Sequence, residues 1–399
     1  MNVAAVSAGI TAFVWYAFGA VPLHLAVSSQ LGLDPSQTSS WIFIVWITGA
    51  VSSLVLAFWC RQPIPITWSI PGLVYLGTLG GEYTFADLVG ANLVAGGLLL
   101  ALGLLGAGGR IMAWLPLPIV MGMFAGSILE YVLRLVEVTV DDALVAGSTV
   151  GGYLLGRVIA SARIPPVGLA VVAGGLAVAL GGRASGPASI DWGLPSVQTP
   201  DMAFSLSATL TVSVPLAVLA LGLGNVHGLG FLLAQGYRPP IDRVTVVVGV
   251  NSVLNSFFGG HQAIVARTGV AILAGREAGP AEQRYWASVV AASLTVLIAL
   301  SAGAVASLLS VLPVAFISAI AGLAIFSSFQ DAIEKALGGG LRFSATVAFV
   351  VAATPFVFAG VTSDFWALVA GLAVALLVER GELREHLRRS RIDSARAAG

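Results

Sequence analysis

Long apolar runs separated by short polar connections recur along almost the whole chain. Fourteen can be counted, the first seven near 7–28, 38–60, 63–80, 85–107, 111–130, 143–160 and 164–181. The second seven lie near 207–234, 243–257, 261–275, 285–309, 313–329, 342–360 and 363–379. Runs of this kind suit helices that cross a hydrocarbon core of roughly 30 Å. Two of them do not read as continuous helices. In QPIPITWSIPGLVYLGTLG (62–80), Pro63 and Pro65 bar a helix and leave 63–68 extended. Ser69 then suits an N-cap, and Pro71 is tolerated in the first turn that follows. In HQAIVARTGVAILAG (261–275), an unbroken helix over 262–273 would reach only about 18 Å. Extended over 261–265 and helical over 266–275, it would reach about 31 Å. A break at this depth strands backbone groups, which is tolerated only beside protein or a water-filled cavity. The third and tenth spans are therefore expected to be a short strand plus a half-helix, flanking a binding site.

The two sevens resemble each other in order. AFGAVPLHL (17–25) parallels ALGLGNVHG (220–228), which sets His24 opposite His227. Each half then has its broken span, followed by Leu115-Pro116 with Ala125-Gly126, or Leu312-Pro313 with Ala321-Gly322. Because seven is odd, the second half enters the membrane from the other side. The expectation is an all-α polytopic membrane protein of two inverted repeats, 1–181 and 204–380, joined by the polar linker 182–203 and ending in a tail, 381–399.

Charge placement fits this count. With the N-terminus inside, Arg61, Arg110, Arg157, Arg163, Arg238, Arg243, Arg276, Arg284, Lys335 and Arg342 fall on the cytoplasmic side, as do six arginines from Arg380 to Arg396. Only Arg134 and Arg183 fall outside, among seven carboxylates. This is a strong positive-inside bias and sets both termini in the cytoplasm of a bacterial-type inner membrane. Arg267 alone is left within a span.

Composition narrows the function. The chain is 57% hydrophobic and 10% charged, against about a quarter charged in soluble domains. The single cysteine, Cys60, excludes an internal disulfide and a cysteine metal cluster. No phosphate-binding loop, HExxH or GxSxG occurs, so neither an enzyme nor a cofactor is expected. Basic residues are too thinly spread for nucleic acid, and the tail is expected to meet solvent and anionic lipid. GxxxG at 147–151 and 152–156 reads as a helix contact or a homodimer face.

The half-helix ends are where an anion is favoured, by free N–H groups and a positive dipole end. Nearest to them are Trp68, Ser69 and Ile70 in the first repeat, and Ala263, Ile264 and Val265 in the second. Arg267 reads either as the partner of a substrate carboxylate or as a structural pair with a carboxylate such as Glu130. His227 and His261 are candidates for carrying a proton, with Asn225 and Gln262 beside them, while His24 reads as a packing residue. Tyr16, Trp68 and Tyr75 offer aromatic faces to a flat ligand. Trp15, Trp41, Trp46 and Trp59 read as interfacial or packing residues.

PITWSIPG (65–72), SFFGGHQAIVARTGVAILAG (256–275), EQRYWASVVAA (282–292) and LPVAFISAIAGLAIF (312–326) resemble the benzoate membrane transport (BenE-type) family of proton symporters. LGNVHG…AQGY (223–237) resembles the family's eighth span, with Asn225 at the matching position. The likeness covers nearly the whole chain. It implies the seven-plus-seven inverted-repeat fold shared with nucleobase and sulfate transporters. There, spans 1–4 and 8–11 (about 7–107 and 207–309) form a core that moves against a gate of spans 5–7 and 12–14 (about 111–181 and 313–379). Nucleobase transporters carry carboxylates on spans eight and ten, where this chain has Asn225, His227, His261 and Gln262, which argues for an anion. Arg267 stands where the family suggests a small residue. The resemblance implies import of an aromatic carboxylate, most simply benzoate, with a proton. The competing readings are a symporter, exchanger or channel for another small anion, or a non-transporting scaffold.

Overall fold

The computed structural model describes residues 2–107, 116–159, 165–184, 190–386 and 388. Arg110, Leu115, Arg163, Arg389, Arg391, Arg396 and part of the linker, all used above, lie outside the described residues. At the centre, two three-residue strands meet. Ile66–Trp68 (β1) runs antiparallel to Ala263–Val265 (β2), with Ile66 opposite Val265 and Trp68 opposite Ala263. The pairing continues on both sides through Ser69 N to Gln262 O (2.8 Å) and Ala266 N to Pro65 O (3.0 Å).

A ribbon of two strands has two open edges, and inside a bilayer water does not satisfy them. Side chains do. Ile66 N donates to Ser53 Oγ at 2.8 Å, Ala263 N to Ser252 Oγ at 3.0 Å, and Val265 N to Asn225 Oδ1 at 3.1 Å. Ser53 and Ser252 sit on the helices that precede the two strands, Pro35–Cys60 and Ile241–Phe257. Each strand then runs into a short helix, Ile70–Thr78 or Arg267–Leu273. Pro71 lies in the first turn of the former, and Ser69 caps it by accepting from Gly72 N at 3.0 Å.

Two groups of helices surround the ribbon. In one, Phe85–Leu104 packs along Ile241–Phe257, while Val3–Gln30 and Pro35–Cys60 pack along Tyr285–Leu300. In the other, Leu117–Asp141 packs along Val314–Leu337 and Arg342–Ala353, and Val145–Ile159 along Pro166–Leu180. The Leu206–Ala234 helix passes directly over β2. A Cβ at Gly224 would come within 2.4 Å of Ile264 Cγ2, so only glycine permits this crossing. Two stretches of that helix, Thr209–Ser213 and Ala220–Val226, are wound with i→i+5 bonds, a widening often found at functional sites. The second contains Asn225, which holds β2.

Among the described residues, seven helices are long and apolar enough to cross a membrane. Some ends differ from the sequence expectation. Leu117–Asp141 continues past 130, and Val314–Leu337 past 329, because polar residues on one helix face do not stop a helix. Conversely, Arg342–Ala353 ends early: Thr354, before Pro355, is extended, and a hairpin of Val357–Phe358 with Val361–Thr362 follows. Gly152 packs against Leu169 and Gly156 against Pro166, so that GxxxG is a contact inside the chain.

Arginines gather at one end of the molecule, where Arg61 Nη1 donates to Tyr285 OH and Gln62 Nε2 to Arg238 O. At the opposite, acidic end the linker crosses the helix ends, with Ser196 bonded to Ser36 and Gln198 N to Ser40 Oγ. Glu379, just before the tail, accepts from Phe343 N and Ser344 N, capping the Arg342–Ala353 helix.

Candidate functional site

Where the two helix groups face each other beside the ribbon, they enclose a cavity of about 200 Å³. From the ribbon side it is lined by Tyr16, Thr67, Trp68, Ile70, Ile264 and Arg267. From the other side come Met121, Phe124, Val167, Ser327, Ser328 and Asp331. The walls are mostly apolar, with hydroxyls at Thr67, Thr268, Ser327 and Ser328 and a single cation, Arg267.

Aromatic packing fixes one wall. Trp46 stacks on Trp68 with ring centroids 4.0 Å apart, and Tyr16 meets Trp68 edge-on at 6.0 Å. The Tyr16 hydroxyl lies against Gly269, where a Cβ would come within 1.8 Å of it. That hydroxyl is buried and has no hydrogen-bond partner in the protein. A buried phenol OH without a partner is costly unless a ligand or water takes it.

Arg267 opens the second half-helix, after Ala266, which gives no side-chain cap. Its Nη1 donates to Asp331 Oδ2 at 2.7 Å. The same oxygen accepts from Lys335 Nζ at 2.9 Å, and Lys335 Nζ lies 3.1 Å from His227 Nε2. The partner of Arg267 is thus Asp331 and not Glu130. A chain of four polar groups connects the helix groups, with His227 and Arg267 on one and Asp331 and Lys335 on the other. Arg267 keeps 44% of its side chain exposed and Asp331 29%, so both are reachable from solvent.

Five of the ten substrate-site candidates line the cavity: Tyr16, Trp68, Ile70, Ile264 and Arg267. The other five stand behind it. Ser69 is the helix cap, Ala263 lies within the ribbon, and Asn225 holds β2. Gln262 Nε2 donates to Asn92 Oδ1 at 2.7 Å. His261 Nδ1 accepts the Trp41 indole N–H at 3.0 Å, in a buried cluster with His24. His24 and His227 consequently occupy different surroundings despite their matched sequence positions. Tyr75 is buried, and its hydroxyl donates to Thr211 O rather than facing a ligand. Trp41 and Trp46 are buried packing residues, whereas Trp15 lines the cavity.

Sequence reasoning missed Asp331 and Lys335. Their spacing of four on a helix was the available signal. They lie beyond the apolar run that closes at Phe329, so they read as residues outside the membrane.

With this geometry in place, comparison with known proteins is decisive. A family model described as benzoate membrane transport protein matches residues 1–377. The chain belongs to that family. The benzoate membrane transport protein of Acinetobacter baylyi is 25% identical over 375 residues, 93% of this chain and 94% of that protein. Inner membrane protein YdcO of Escherichia coli is 29% identical over 342 residues, covering 85% and 87%. Among solved structures, the transmembrane domain of a cyanobacterium bicarbonate transporter, BicA, matches with TM-score 0.64 and 17% identity, over 93% of this chain and 97% of that one. The murine Slc26a9 anion transporter in the inward-facing state matches with TM-score 0.62 and 14% identity, over 95% of this chain and 68% of that one. At such identities the structural likeness establishes the fold, the inverted-repeat fold that the sequence resemblance implies. This member of the benzoate transport family is an integral membrane transporter and not an enzyme.

Proposed function

We propose that the protein imports an aromatic carboxylate, benzoate in the first instance, together with a proton, by alternating access. The observation that carries this reading is the cavity between the two helix groups: a mostly apolar slot with Arg267, paired to Asp331, at its edge. A cavity of about 150 Å³ accommodates a benzene ring. The 200 Å³ here leaves additional room for a carboxylate. The ring would lie between Trp68 and Phe124, with its carboxylate on Arg267 and the first N–H groups of the second half-helix. An inorganic anion would gain little from so many apolar walls, which favours an aromatic acid over bicarbonate or chloride.

In this reading the core is spans 1–4 and 8–11, carrying the ribbon and Arg267, and the gate is spans 5–7 and 12–14. The arginine-rich end faces the cytoplasm of an inner membrane. Toward the acidic end Tyr131 donates to Gln30 Oε1 across the two groups, whereas Arg267 and Asp331 are accessible. That arrangement corresponds to an inward-open state.

Uptake of labelled benzoate into proteoliposomes tests this. An acidic exterior should drive protein-dependent accumulation, and a protonophore should collapse it. Benzoic acid crosses bilayers unaided, so protein-free vesicles set the baseline. Bicarbonate in excess should compete poorly, and other aromatic acids well. Accumulation that ignores the proton gradient would remove symport, and strong competition by bicarbonate would favour a small inorganic anion.

A further inference from the structure

We infer that Asp331 is the proton-binding group of the transporter, and that it and the substrate carboxylate take turns on Arg267. This rests on the reading above, in which Arg267 receives the substrate.

The two histidines that the sequence offers are poorly placed for the task. His261 Nδ1 already accepts the Trp41 indole N–H, so protonating that nitrogen would break a buried hydrogen bond. His227 Nε2 lies 3.1 Å from the Lys335 ammonium, and a proton there would set two cations side by side. Asp331 has neither obstacle. It is an ionisable group in the membrane-spanning Val314–Leu337 helix, lining the cavity and reachable from solvent.

The groups facing it can be named. Arg267 comes from the second half-helix, Lys335 from its own helix, and His227 stands behind Lys335. Tyr16 lines the same cavity, while Glu334, beside Lys335, is exposed. The Leu117–Asp141 and Pro166–Leu180 helices, also packed on Val314–Leu337, bring only Met121, Phe124 and Val167 to the cavity.

With the site empty, one oxygen of Asp331 is held by two cations, and the ionised form is favoured. A substrate carboxylate arriving at Arg267 displaces Asp331 and adds a negative charge beside it. Both changes favour protonation, so a proton from the accessible side neutralises Asp331. The cluster of Arg267, Lys335 and Asp331 carries +1 when empty. With one anion and one proton bound it still carries +1. Coupling of one proton to one carboxylate follows, and transport is electroneutral. The exchange also frees the core from the gate, because Arg267 and Asp331 belong to opposite groups.

Calorimetric titration of benzoate into purified protein, in buffers of different ionisation enthalpy, counts the protons taken up. Wild type should take up about one proton per benzoate, with affinity falling about tenfold per pH unit through the uptake range. Asp331→Asn should bind with no proton uptake, with affinity flat in pH and tighter than wild type near neutrality. Asp331→Glu should restore uptake. Lys335→Gln, which removes one cation from an otherwise intact site, should shift the uptake range to higher pH. Proton uptake that persists in folded Asp331→Asn, or an unshifted range in Lys335→Gln, would overturn the proposal and leave the substrate reading standing. Wild-type protein that binds no benzoate at any pH would instead overturn the substrate reading, and this inference with it.

Discussion

The two half-helices share a backbone design and differ in chemistry. Both follow a three-residue strand, and both strands have an edge satisfied by a serine of the preceding helix. The first half-helix begins with a buried serine that caps its own Gly72 N–H, followed by proline, and carries no charge. The second begins at Ala266, which supplies no cap, and continues with Arg267 and Thr268 in the cavity. The first end is thus closed by its own side chain, while the second has no side-chain cap. Duplication supplied the symmetric scaffold. Of the two first turns, only the second carries a cation, Arg267.

The largest expected effect that separates the copies is at Arg267. A hydrogen bond to a charged group contributes roughly 1.5–3 kcal/mol, or about ten- to a hundredfold in affinity. Arg267→Gln should therefore lower benzoate uptake at sub-saturating concentration by that factor. Arg267→Lys should recover only part, because an ammonium does not reproduce the planar fork. Unchanged uptake by folded Arg267→Gln would erase the asymmetry.

A smaller effect is expected two residues further on. Gly269→Ala would place a Cβ within 1.8 Å of the Tyr16 hydroxyl, forcing that cavity-lining ring to shift. In the first half-helix, Gly72→Ala meets Ser69 Oγ at 3.1 Å and Leu216 Cδ2 at 3.2 Å, a milder conflict. KM should rise several-fold in the former and little in the latter. Adding Tyr16→Phe to Gly269→Ala removes the clashing oxygen and should restore part of the loss.

The smallest effect lies at Ser69. Ser69→Ala should cost about 1 kcal/mol of stability through the lost cap, seen as a lower Tm. Benzoate affinity should stay within about twofold. A loss of affinity as large as that of Arg267→Gln would show that the first end also holds the anion.

The parts of this architecture written as local rules were legible in the sequence. Pro63, Pro65, Ser69 and Pro71 dictate an extended stretch, a cap and a first turn, and the structure has each of them. The short second span, and the membrane character of the chain, follow equally from residue types and lengths. Roles that depend on three-dimensional neighbours were not legible. Asn225 and Gln262 look like ligand-binding amides in a linear reading. In the fold they hold the ribbon edge and Asn92, because β2 needs partners that water does not provide. Asp331 and Lys335 look like the polar exit of a helix until the second half-helix is set against them. Arg267 drew attention as an intramembrane charge, but only the packing of two distant helices shows which carboxylate it meets.

The most direct test of the asymmetric site is an experimental structure of the protein with benzoate bound. The carboxylate is expected at Arg267 and the first N–H groups of the Arg267–Leu273 helix, with the ring between Trp68 and Phe124 and Asp331 withdrawn from Arg267. Benzoate seated against Ser69 and Ile70, with the Arg267–Asp331 pair intact, would contradict the account.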